Sequence, residues 1–147
     1  MVNKIKGVKI TNLKIIKDKR GSVLHMMKKD SKVYKKFGEI YFSTLNSGKK
    51  KGWNLHKKMT LNLTCIKGKI KIVLYDNRAK SKTYKIVNSY YLSRKKYFLL
   101  TVPPNIWCGF KNLAKEESIL ANFSSMIHSP KEILRKPLND KLFLYKW

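Results

Sequence analysis

The chain has 147 residues, enough for one domain with a proper hydrophobic core, and carries 34 Lys and Arg against 8 Asp and Glu, a net charge of +26. An apolar share of 43% with 12% aromatics excludes a disordered chain. No apolar run approaches the ~20 residues that cross a bilayer.

From the amino terminus, MVNKIKGVKI is basic but lacks the continuous apolar segment of a signal peptide, so a cytoplasmic protein with no membrane partner is expected. Short alternating or β-branched runs then follow one another: GVKITNLKII, SVLHMM, GEIYFSTL, MTLNLTCI, KIKIVLYD, TYKIVNSYYL and YFLLTVP, with SILANFSSMI as one more. Turn-like breaks separate them: DKRG, NSGKKKG, KG, DNRAKS, SRKK and PPN. SPKEILRK, residues 129–136, is the one segment that reads as a short C-terminal helix. Many short strands at this spacing predict an all-β sandwich or small barrel, with a jelly roll the first choice and residues 1–147 forming a single domain. Cys65 and Cys108 are far apart without metal-type CxxC spacing, and are expected as reduced, buried thiols.

The charge is informative mainly through its make-up. Only Arg20, Arg78, Arg94 and Arg135 are arginines, and lysine is spread along the whole chain without a basic tail. Readers of nucleic acid rely on arginine for bidentate and stacking contacts, so a nucleic-acid partner is not expected. A lysine-rich compositional bias or a diphosphate-bearing ligand accounts for the charge equally well.

Histidine is scarce: His25, His56 and His128. His56 lies in KKGWNLHKKMTLN, just ahead of an alternating run. A regular strand here places His56, Lys58, Thr60, Asn62 and Thr64 on one side and Met59, Leu61, Leu63 and Cys65 on the other. The first row suits the floor of a polar cavity, and it equally suits the solvated side of an ordinary strand.

Together these segments resemble the dTDP-4-dehydrorhamnose 3,5-epimerase family in a shortened form. DKRG (Asp18 to Gly21) is similar to that family's Asp-x-Arg-Gly turn, GWNLHKK to its Arg-Gly-Leu-His, and IKGKIKIVLYDNRAKSKTY to its Asp-Leu-Arg-x-x-Ser-x-Thr segment. LTVPPNIWCGF is similar to Ile-Pro-x-Gly-x-Ala-His-Gly-Phe, and LNDKLFLYKW to Asn-Asp-Pro-x-Leu-x-Ile-x-Trp. FGEIYFS stands where the family has its first ligand-lining strand. The resemblance implies a cupin-type jelly roll, a homodimer, no cofactor, and a nucleotide-linked 4-keto-6-deoxy sugar inverted at C3, C5 or both.

By the same resemblance His56 is the catalytic base and Asp140 its carboxylate partner. A proton α to a ketone is acidic because the carbanion delocalises as an enolate, and neutral imidazole is a suitable base near pH 7. His128, in MIHSP, stands where the family has a tyrosine acid, and is the expected proton donor. The family's enolate-stabilising lysine falls on Leu61, which leaves Lys58 as the substitute. Arg20 is the candidate diphosphate contact, to the chain's own ligand or a neighbouring subunit's. Glu39, Tyr41 and Asn62 are expected to contact substrate. Trp53 replaces a family arginine, and Trp53 and Trp107 are candidates to stack on base or sugar, against the commoner use of tryptophan in a core.

A bound metal is not expected. It would need two or three clustered histidines with a carboxylate, and Lys57 and Lys58 flank a lone one. Two other readings remain: a sugar-nucleotide 3,4-ketoisomerase, usually marked by a His-x-His that NLHKK lacks, and a sugar-nucleotide-binding cupin without catalysis.

Overall fold

The computed structural model describes residues 4–147. Twelve strands run in chain order: β1 (Lys9–Asn12), β2 (Ile15–Asp18), β3 (Gly21–Leu24), β4 (Glu39–Leu45), β5 (Lys50–His56) and β6 (Leu61–Lys67), then β7 (Lys69–Asp76), β8 (Val87–Ser93), β9 (Phe98–Val102), β10 (Ile106–Asn112), β11 (Ser118–Ser124) and β12 (Ile133–Lys136). One five-stranded antiparallel sheet has the order β1-β9-β6-β11-β4 and a second the order β12-β5-β10-β7-β8, while β2 and β3 pair only with each other. No α-helix occurs among the described residues. The expected all-β cupin jelly roll is therefore the fold.

Alternation builds the sandwich. Leu61, Leu63 and Cys65 of β6 point inward against Ile70, Ile72 and Leu74 of β7 and Cys108 and Phe110 of β10, all in one buried cluster. Thr60, Asn62 and Thr64 take the opposite face and are nevertheless buried. Asn62 Oδ1 accepts from the Thr101 hydroxyl at 2.7 Å, which satisfies its carbonyl away from the interior.

A second, smaller core lies on the outer side of the other sheet. Trp53, Leu55, Val73, Tyr75, Trp107 and Phe143 cluster there under Leu142, Tyr145 and Trp147. Trp53 is fully buried and stacks on Phe143 at 4.0 Å between ring centroids. A Cβ on Gly109 would stand 2.7 Å from the Trp147 ring, so glycine lets the C-terminal segment close onto β10.

Two segments differ from their sequence reading. KKGWNLH, whose first residues belong to the turn-like break NSGKKKG in the sequence reading, forms β5, so His56 ends one strand instead of opening the next. SPKEILRK supplies β12, which pairs with β5 (Ile133 opposite His56, Arg135 opposite Asn54). Hydrogen bonding to the edge of β5 overrides the helix propensity of Glu, Leu, Arg and Lys.

Asp76 ties the end of β7 to the following turn. Burial pushes its carboxyl up, but bonds from Arg78, Thr83 and Ser81 outweigh this and hold it at about 2. The Asp-x-Arg-x-x-Ser-x-Thr pattern is thus a structural clamp.

Candidate active site

A cavity of about 370 Å³ opens between the sheets where β4 and β11 face β5, β10 and β12. Each strand contributes its inward positions: Glu39, Tyr41 and Ser43 from β4, Asn54 and His56 from β5, Ile133 and Arg135 from β12. Strand β4 shows why, since its burial alternates, with Ile40 and Phe42 exposed between the cavity-facing residues. Lys51 joins the same wall through a bulge. Phe110 pairs with Lys51 and Cys108 with Asn54, so Gly52 and Trp53 together oppose Gly109 and the side-chain alternation slips by one.

His56 is buried, and its Nδ1 lies 2.8 Å from Glu132 Oε2. The other carboxylate oxygen, Oε1, accepts the backbone N–H groups of Lys58 at 2.6 Å and Met59 at 2.8 Å. Burial pushes the Glu132 carboxyl up, but the bonds from Lys58 N–H, His56 and Met59 N–H outweigh it and hold the group below the usual glutamate range. An ionised carboxylate only accepts, so the proton of a neutral His56 ring sits on Nδ1. Nε2 then carries a lone pair, the state a base requires.

Around this pair stand groups suited to donate or bind. Burial first, then the charge of Glu39, pushes the Tyr41 phenol up to about 12, so Tyr41 is a protonated donor throughout the physiological range. Cys108 is buried and its thiol is pushed up by burial, so it enters the wall as a neutral group. Both cysteines are free and buried, as expected. His128 reaches the cavity from the exposed segment after β11, where its backbone N–H donates to Glu39 Oε1 at 2.9 Å.

Of the residues singled out in the sequence, His56, His128, Glu39 and Tyr41 meet at this cavity. The others do not. Asp140 is not the partner of His56: its carboxylate accepts from Lys136 Nζ at 3.1 Å and Leu142 N–H at 2.9 Å, and Glu132 occupies the position at the imidazole. Lys58 gives Glu132 its backbone N–H while its side chain is exposed outside the cavity wall. Asn62 faces the far side of β6, because the alternation begins afresh at Leu61 after the bend that follows His56. Trp53 and Trp107 pack in the outer core, since Trp53 points away from the cavity between inward-facing Lys51 and Asn54. Arg20 sits on the exposed β2–β3 hairpin, paired with Asp18 at 2.7 Å.

Sequence reasoning missed Glu132, Asn54, Lys51 and Arg135. The available signal for Glu132 was scarcity, because a chain with 8 acidic residues places few of them by accident beside Ile and Leu. Among the described residues no group of three or more His, Cys, Asp or Glu side chains is arranged to hold a metal ion. No helix among them is long and apolar enough to cross a membrane.

Fold and site define a class: a cupin of the sugar-nucleotide epimerase and isomerase type. A family model described as "FdtA: WxcM-like, C-terminal" matches residues 6–141, and the chain belongs to that family. It is similar to a crystal structure of a dTDP sugar isomerase from Desulfovibrio desulfuricans G20, at 34% identity and a TM-score of 0.95, over 97% of this chain and 92% of that one. It is also similar to the probable low-salt glycan biosynthesis epimerase Agl13 of Haloferax volcanii, 26% identical over 126 residues, or 84% of this chain and 81% of that protein. The dTDP-4-dehydrorhamnose 3,5-epimerase of Elizabethkingia anophelis shares the fold at a TM-score of 0.82 and 19% identity, over 99% of this chain and 83% of that one. The likeness read from the motifs thus holds for the fold and the broader epimerase and isomerase class, and the family is the WxcM-like one.

Proposed function

We propose that this protein is a cofactor-independent isomerase that takes a nucleotide-diphosphate-linked 4-keto-6-deoxy sugar and inverts C3, C5 or both through an enolate. The observation that carries the reading is the His56–Glu132 pair, 2.8 Å apart, whose histidine lines a cavity shared with a protonated phenol and a second histidine. His56 Nε2 takes the proton α to the carbonyl, and Glu132 stabilises the imidazolium that forms. Tyr41 donates a hydrogen bond to the developing enolate oxygen. His128 returns a proton on the other face, and Lys51 and Arg135 offset the diphosphate charge. The names of the similar proteins, an epimerase and a dTDP sugar isomerase, support the substrate class. A homodimer belongs to this reading, with Arg20 on its exposed hairpin directed to a neighbouring subunit's diphosphate.

A second reading, the 3,4-ketoisomerase, gains from one observation. Asn54 and His56 both face the cavity, so the strand presents Asn-x-His where a His-x-His is expected of such enzymes. Inversion at C3 and ketoisomerisation both begin with removal of the C3 proton and differ in whether a proton returns to C3 or to C4. Incubation with dTDP-4-keto-6-deoxyglucose in D2O, followed by NMR of the product, separates them. Deuterium at C3 or C5 with an inverted centre and C4 still a ketone is the expected result, whereas a carbonyl moved to C3 makes the protein a ketoisomerase. Wash-in that survives His56→Ala sinks the assignment of the base.

A further inference from the structure

Glu39 is the second carboxylate at the cavity, and its oxygen is spent on the chain itself. Oε1 accepts the backbone N–H of His128 at 2.9 Å, across 89 positions of sequence. Other contacts fasten the same two segments. Gly38 N–H donates to Ser124 C=O at 2.9 Å, and the Ser124 hydroxyl is shared between Glu39 C=O and Met126 C=O, each at 3.1 Å. A Cβ on Gly38 would collide with the Met126 backbone, so only glycine lets the segments close this tightly. Beyond Met126 the fastening thins. Ile127 is 72% exposed, His128 itself is exposed, and the Glu39 bond is the one hydrogen bond recorded for His128 among the described residues.

We propose that Glu39 is a positioning residue: its carboxylate latches the segment after β11 so that His128 stands at the cavity and returns the proton to the face opposite His56. The latch deepens the reaction proposed above and rests on His128 being the donor. Glu39 makes no ion pair among the described residues despite the surplus of lysine, so its charge is not committed to a salt bridge. A neutral acceptor of the same shape serves the purpose, because the donor is an amide and not a cation.

Glu39→Ala and Glu39→Gln test the proposal in the full-length protein. Amide hydrogen exchange at His128 reads the latch without reference to catalysis. Exchange about tenfold faster in Glu39→Ala, with Glu39→Gln close to the parent, is the expected result for loss of one bond to a charged acceptor. The second readout is the ratio of inverted product to deuterium wash-in on the 4-keto sugar nucleotide. This ratio is expected to fall about tenfold in Glu39→Ala and to recover in Glu39→Gln. If Glu39→Gln falls as far as Glu39→Ala, the negative charge acts on the substrate and the latch is overturned. An unchanged His128 exchange rate in Glu39→Ala overturns it too. Absence of wash-in in the parent protein refutes the reaction instead, and the exchange measurement still judges the latch.

Discussion

His56 and His128 enter the same cavity from two unlike kinds of structure. His56 ends a strand flanked by β12 and β10, is buried, and has one ring nitrogen fixed by a carboxylate. His128 lies in an exposed connection and, among the described residues, is held by one hydrogen bond through its backbone amide. In a chain with so few carboxylates, each of these two histidines nonetheless has its own: Glu132 grips a ring and Glu39 grips a main chain. On the proposed mechanism, the difference teaches where the chemistry would tolerate slack. A base needs its tautomer and direction fixed before substrate arrives, whereas a donor at the rim needs only to be kept near.

The sharpest way to break this contrast is to remove the rings in turn. His56→Ala is expected to abolish solvent-proton exchange, a loss on the order of 1,000-fold or more. His128→Ala, in an exposed segment, is expected to keep more of the exchange than of the inversion. Equal losses would erase the distinction between the two histidines. Next in size is the support behind β5. Trp53→Ala empties a fully buried site and is expected to cost about 3–5 kcal/mol in a denaturant titration, taking His56 with it.

Glu132→Gln sharpens the contrast at the ring itself. An amide at this position accepts only at its oxygen and carries no charge for the imidazolium, so kcat is expected to drop about 100-fold with KM little changed. The same variant carries a pH signature. Because the folded Glu132 carboxyl is held below its ordinary value, its contribution to stability is present above the ordinary glutamate range and is lost as pH falls through the lowered folded value. The gap in Tm between parent and Glu132→Gln should therefore narrow in acid, below about pH 4.5, the ordinary glutamate value. A gap that widens there would contradict the ionised pair. The smallest effect belongs to Asp140→Asn. With its partners being Lys136 and Leu142 N–H, this change is expected to leave Tm almost unmoved and to spare wash-in.

These sites also mark what was legible in the sequence. The alternation of GEIYFSTL, KIKIVLYD and YFLLTVP reveals β4, β7 and β9, and Glu39 and Tyr41 come with β4 because period-two patterning is a local signal. The resemblance added His56 and His128. It did not add Glu132, because Glu-Ile-Leu-Arg-Lys is composed of good helix formers and becomes a strand only by pairing with β5. Lys51 was hidden by the bulge, which is a property of two strands in register and leaves no mark in either alone. Trp53 faces away from the cavity for the same reason. Side-chain direction beyond a register slip is a tertiary fact.

The distance along the chain between His56 and Glu132, 76 positions, sets a schedule for the protein's birth. At a synthesis rate of roughly 5–20 residues per second, β5 waits about 4–15 s after leaving the ribosomal active centre before its carboxylate is even polymerised. During that interval the imidazole has no fixed tautomer, and the edge of β5 that later receives β12 is unpaired. On the mechanism proposed above, the base is completed only when β12 arrives, and turnover would report that the sandwich has finished folding.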